Sequence, residues 1–157
     1  MSDPYLWLKW THILSATLLF GTGIGTAFHM LATHRRGNPE AILIAAKNTI
    51  LADWLFTAPS GIVQLATGAG LIWVAGHDPA ESWLVAATAL FALAIACWVK
   101  VAQLQYRIRD LAEAARNAGA LSDSYHRTVR LWFILGWPAF FAFLAVFVLM
   151  VFKPTLW

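Results

Sequence analysis

The sequence predicts an all-α membrane protein: a four-transmembrane-helix bundle, both termini non-cytoplasmic, forming a single integral membrane domain over residues 1–157. Three observations predict it. Of the residues, 60% are apolar and only 12% charged, against roughly 45–50% and about 25% in soluble domains. Four apolar segments each approach the ~20 residues that cross a hydrocarbon core. The basic residues gather in two stretches that one topology places on a single side of the bilayer. This composition excludes a water-soluble fold, and its low charge excludes intrinsic disorder. Helices rather than strands are expected, because lipid offers no partner to backbone N–H and C=O groups.

The first helix spans about 5–31, with Lys9 near its start as its one charge. The Met1-Ser2-Asp3-Pro4 opening has no basic region ahead of the apolar stretch, so a retained helix is expected and not a signal peptide. The second spans about 42–74; Asn38-Pro39-Glu40 reads as an N-cap followed by proline at the first helical position. Gly76-His77-Asp78-Pro79 turns into the third helix, about 83–117. Its apolar part ends near Leu104, and Ile108, Leu111, Ala112 and Ala115 continue at helical spacing with charged residues between them. The third helix is therefore expected to extend into the cytoplasm. Asn117 and Gly119 end it, and the Ser122-Asp123-Ser124 cluster caps the fourth helix, about 124–153.

Orientation follows from arginine and lysine. Arg35, Arg36 and Lys47 follow the first helix, and Arg107, Arg109, Arg116, Arg127 and Arg130 follow the apolar part of the third. The turn between the second and third helices has only Asp78 and Glu81. The expected location is a bacterial-type inner (cytoplasmic) membrane, crossed several times. The net charge of +3 and pI of 9.4 then reflect the positive-inside bias; the expected partner is the lipid bilayer and not nucleic acid. Trp7, Trp10, Trp73, Trp83 and Trp157 fall near the outer boundary, as interfacial belts do. The single cysteine, Cys97, lies in an apolar run and reads as packing. No phosphate loop, HExxH or nucleophile elbow is present.

An ionisable group near the bilayer centre costs roughly 2.5–3.5 kcal/mol on insertion scales, so each needs a partner or a task. His12 shares a helical stripe with Ala16, Leu19, Gly23 and Met30. It admits two readings. It ligates the iron of haem b, with Gly23 making room for the macrocycle, or it is a neutral histidine bonded to a neighbouring helix. His29 lies about 25 Å further along the axis at 1.5 Å per residue, so it serves either a second haem or a propionate or phosphate. Met150 is the candidate second axial ligand. Asp53, Lys100 and Arg130 fall at similar depth near the cytoplasmic side and read as an ion pair or as a polar pocket, with Trp137 and its neighbour Pro138 as walls. Gln64 and Gln103 complete the intramembrane polar set.

Two resemblances accompany these residues. Lys9-Trp10-x-His12-Ile13-Leu14-Ser15-Ala16-Thr17, Ala52-Asp53-Trp54-x-Phe56-Thr57 and Arg130-Leu131-Trp132-Phe133-x-Leu135-Gly136-Trp137-Pro138-Ala139-Phe140 are similar to a family of uncharacterised integral membrane proteins, domain of unknown function 2269. More distantly, Tyr5 to Leu14, Phe20-Gly21, Pro59, Thr67-Gly68 and the Arg127–Phe133 stretch resemble the bacterial membrane-embedded protoporphyrinogen IX oxidase family. That resemblance implies a four-helix b-haem scaffold with His12 on iron. The chain departs from it in lacking the Pro-Arg pair late in the first helix and the Asn-Glu pair before the proline of the fourth. The leading expectation is a small b-type haem protein working in electron transfer or oxidation with a lipid-soluble partner, a quinone or a porphyrin. The alternatives are a non-enzymatic four-helix membrane subunit or small-molecule carrier without cofactor, and a protoporphyrinogen oxidase-like enzyme. A glycine-rich first helix is compatible with a homodimer.

Overall fold

A computed structural model describes residues 3–157, all of it helix and connecting turn, with no strand among the described residues. Helix α1 spans Pro4–Arg36, α2 Pro39–Ala75, α3 Ser82–Ala118 and α4 Asp123–Phe152; all four are long and apolar enough to cross a membrane. Each boundary has a local cause. Asp3 accepts from the Tyr5 amide at 3.0 Å, Asn38 from the Ala41 amide at 3.1 Å, and Ser122 from the Tyr125 amide at 3.3 Å, which satisfies donors that a helix start leaves orphaned. Gly37, Gly76 and Gly119 end α1, α2 and α3 with φ of 67°, 67° and 76°, a region glycine enters at no steric cost. Lys153 ends α4 in the same left-handed region, with φ 45°. The first helix runs to Arg36 and the second starts at Pro39, both beyond the expected limits, because nothing in the sequence breaks the helix before Gly37.

One irregularity was not expected. Residues Asp53–Thr57 form a π turn within α2, and the Ala58 amide donates to the Asp53 carbonyl five residues back. Pro59 supplies the reason: its ring clashes with the carbonyl four residues earlier and it lacks an N–H, and a widened turn just before it relieves both. By contrast, α4 continues as helix through Pro138.

Consecutive helices pack against one another, α3 on α4 most extensively. The best-buried core lies toward the end carrying the basic loops, where Ile42, Ala45 and Ala46 meet Ile108, Ala112 and Tyr125. We call this the basic end, and the other, carrying Gly76 to Glu81, the turn end. Toward the turn end α1 meets α4 through rings: Phe20 stacks on Phe140 at 5.6 Å and meets Phe147 edge-on at 5.3 Å. Large apolar side chains such as Phe28, Ile62, Trp73 and Val151 cover the outside, the inverse of a water-soluble surface and the form lipid requires.

Candidate functional site

His12 projects from α1 onto α2, and both nitrogens of its ring have partners there. Thr67 Oγ1 donates its single proton to the Val63 carbonyl at 2.6 Å. Its oxygen therefore accepts from His12 Nδ1–H, 2.9 Å away. Nε2 is left as an acceptor, and the Gln64 amide donates to it at 2.8 Å. Ser15, one turn along α1, donates to Gln64 Oε1. The network assigns a neutral ring protonated on Nδ1. Its close fit depends on Gly68: a Cβ there would lie 3.3 Å from His12 Cε1.

These residues do not fit a haem. Neither ring nitrogen is free for iron, since each faces a group that is itself committed to α2. The enclosed space beside Gln64, Ala16 and Leu19 is about 20 Å³, room for one water and far too small for a porphyrin. Gly23, expected to make that room, is exposed on the outside of α1 with nothing within 4 Å of an added Cβ. The expected second ligand Met150 is half-buried on α4, while the His12 nitrogens face α2. His29 is exposed on the outer surface of α1.

The expected grouping of Asp53, Lys100 and Arg130 does not form. Asp53 is buried in the π turn, and its partners are neutral: Thr57 donates to Oδ1 and Gln105 Nε2 to Oδ2, each at 2.8 Å. Lys100 is exposed and donates to Gln103 at 3.3 Å. Arg130 is exposed on α4, and Trp137 stacks on Phe141 at the outer surface, ring centroids 5.8 Å apart. The physical reason is rotational. Equal depth does not give a common face, and lysine and arginine reach water more cheaply than they enter a dry contact.

Two further clusters lie at the ends of the bundle. At the basic end, His34 Nδ1 is 3.1 Å from the hydroxyl of fully buried Tyr125, tying the end of α1 to the start of α4. At the turn end, His77 Nδ1 donates to Glu81 Oε1 at 3.0 Å, and Lys153 Nζ donates to His77 Nε2 at 3.2 Å. Lys153 also lies over the Trp83 ring at 5.2 Å. The Leu156 amide donates to Ser82 Oγ at 2.9 Å, so the last residues are held against the α2–α3 turn.

A reading confined to ionisable residues found His12 and Asp53 but missed Ser15, Thr57, Thr67 and Gln105, which complete their hydrogen bonds. A usable signal was there: on α2, hydroxyl and amide residues recur at helical spacing with Asp53 among them.

Four membrane-length helices joined by buried neutral hydrogen bonds define a multi-pass integral membrane protein. The family described as predicted integral membrane proteins, DUF2269, matches residues 6–154, and the chain belongs to it. No curated protein and no solved structure matches the chain.

Proposed function

We propose that the chain is a non-enzymatic four-helix membrane module, a subunit or a small-molecule carrier without cofactor, in which His12 clasps α1 to α2. The observation that carries this reading is the engagement of both His12 nitrogens by Thr67 and Gln64. The same geometry argues against a quinone-linked haem protein and against a protoporphyrinogen oxidase-like activity, since both need His12 on iron. Positive-inside bias supports a cytoplasmic basic end, with both termini outside and the basic end of α3 projecting into the cytoplasm. At ~1.5 Å per residue, the 37 residues of α3 outrun a ~30 Å hydrocarbon core. The location proposed is the inner membrane of a bacterial-type cell. A second copy would pack along the open Gly21 and Gly25 face of α1, which crosslinking from a cysteine placed at Gly25 reads directly.

The test is an absorption spectrum of protein purified in detergent from haem-replete cells. The expected result is no Soret band, in wild type and His12→Ala alike. A Soret band in wild type that His12→Ala abolishes overturns the reading.

A further inference from the structure

The buried face of α2 carries an unbroken file of polar side chains. Thr49, Asp53, Thr57, Ser60, Gln64 and Thr67 follow one another at intervals of three or four residues, the spacing that sets neighbours about 5–6 Å apart between Cβ atoms on one helical face. All but half-buried Gln64 are buried. At ~1.5 Å per residue the file is about 27 Å long, close to the ~30 Å thickness of a hydrocarbon core. A helix that needed polar groups only to hold its neighbours would place them singly, at crossing points.

Both ends of the file carry a group able to take up a proton. Toward the basic end it is Asp53, a buried carboxylate bonded only to Thr57 and Gln105, with no cation to fix it in the charged form. One turn further out, the Thr49 hydroxyl is buried with no hydrogen-bond partner, an orphan that a packed core does not explain. Toward the turn end the group is His12, held between Gln64 and Thr67. Its surroundings can satisfy either protonation state. In the neutral state Nε2 accepts from the Gln64 amide; turning that amide by half a rotation presents Oε1 to an Nε2–H, and Ser15 then accepts from the amide nitrogen. The intervening positions hold hydroxyls, which donate and accept. Where the file passes Gln64, the cavity of about 20 Å³ takes one water.

We propose that the polar face of α2 is a transmembrane proton path, running from Asp53 through Thr57, Ser60 and a water beside Gln64 to His12 and Thr67. A proton taken up by the Asp53 carboxylate is passed along the hydroxyls and the water to His12 Nε2, and the Nδ1 proton leaves through Thr67. Reorientation of the hydroxyls and of the Gln64 amide resets the file, with no net bond made or broken. The substrate class is the proton itself. Ionisable groups within spans mark such paths when hydroxyls connect them. The proposal rests on the reading of His12 as a hydrogen-bonding and not an iron-bound residue.

The experiment uses full-length protein in liposomes loaded with a pH-sensitive dye, driven by a potassium gradient and valinomycin, in both directions. Wild type is expected to change the internal pH faster than empty vesicles. Asp53→Asn, which keeps the shape but cannot accept a proton, should lower the protein-dependent rate by about tenfold or more, while Asp53→Glu retains most of it. Lys100→Met, outside the file, leaves the rate unchanged. Circular dichroism and gel filtration confirm that each variant is folded, and Thr57→Val serves as a second block if Asp53→Asn is not. Wild-type flux equal to that of empty vesicles, or a folded Asp53→Asn that conducts like wild type, overturns the path. A colourless protein without flux refutes the path and leaves the clasp reading standing; a His12-dependent Soret band refutes the clasp reading, whatever the flux.

Discussion

Nδ1 of His12 lies 2.9 Å from the hydroxyl of Thr67, across the α1–α2 contact and 55 residues away in sequence. With Gln64 on Nε2, the ring is a two-sided bridge, and its energetic weight is measurable. Interhelical hydrogen bonds in membranes contribute on average about 0.6 kcal/mol and at most about 1.7. Gln64→Leu and Thr67→Val are each expected to destabilise the bundle by about 1 kcal/mol, and His12→Leu by about 2 kcal/mol because it strands both partners. A double-mutant cycle of His12 and Gln64, read by unfolding in mixed micelles, should show a coupling of at least about 0.5 kcal/mol. Strict additivity would mean the bridge is not made.

Glycines separate packing from helix propensity. Gly21 has nothing within 4 Å of an added Cβ, so Gly21→Ala should raise thermal stability by about 0.5–1 kcal/mol. Gly68→Ala gains the same propensity but drives a methyl to 3.3 Å from His12 Cε1, a contact that displaces the ring. Gly68→Ala is expected to be neutral or destabilising under the same thermal ramp, and equal gains at both positions would count against the close approach.

Tyr125 is fully buried, with its hydroxyl 3.1 Å from His34 Nδ1. Tyr125→Phe keeps the ring and removes the hydroxyl, so the loss should be about 0.5–1.5 kcal/mol. Hydrogen exchange at the end of α1 is the local readout: faster exchange around Thr33 to Arg36 is expected, with α3 amides unchanged.

The two interfacial lysines are not equivalent. Lys153 touches both His77 and the Trp83 ring, whereas exposed Lys100 meets only Gln103 at 3.3 Å. An exposed cation over an aromatic ring contributes about 0.5–1 kcal/mol. Lys153→Met should therefore destabilise by about that amount and speed proteolysis of the C-terminal residues, while Lys100→Met leaves both unchanged.

The turn-end clasp should weaken in acid. The Trp83 indole N–H, and after it His77, hold the Glu81 carboxyl below its ordinary value of 4.5. A folded value depressed in this way contributes stability that is present above 4.5 and is lost as pH falls through the lower, folded value. Melting temperature should accordingly fall more steeply for wild type than for Glu81→Gln as pH drops from about 6 to about 3. Parallel curves would remove Glu81 from the clasp.

The four helices were legible because hydropathy, caps and glycine punctuation all act locally. Asn38, Ser122 and Gly119 do in the folded chain what their positions in the sequence implied. The π turn was not read from the residues, although Pro59 carried its signal; a proline says that a helix must yield without saying how. His12 and Asp53 were recognisable as polar residues in an apolar setting, but their partners were not. Which face of α2 meets α1 depends on the rotation of each rod, and ion-based reasoning favoured Lys100 and Arg130 over the neutral Gln105 and Thr57. Buried carboxylates in lipid are satisfied by amides and hydroxyls as readily as by cations, and nothing local distinguishes the two.

The widened turn at Asp53–Thr57 also bears on how this helix tolerates changes of length. A wide turn holds one residue more than an ordinary one, so deleting a single residue there would restore regular winding instead of breaking the rod. Such a deletion would swing everything beyond it by roughly a quarter-turn, at ~100° per residue, and would part Gln64 and Thr67 from His12 while sparing the contacts nearer Pro39. Of all sites along α2, this is where a one-residue change in length would uncouple its two halves without unfolding either.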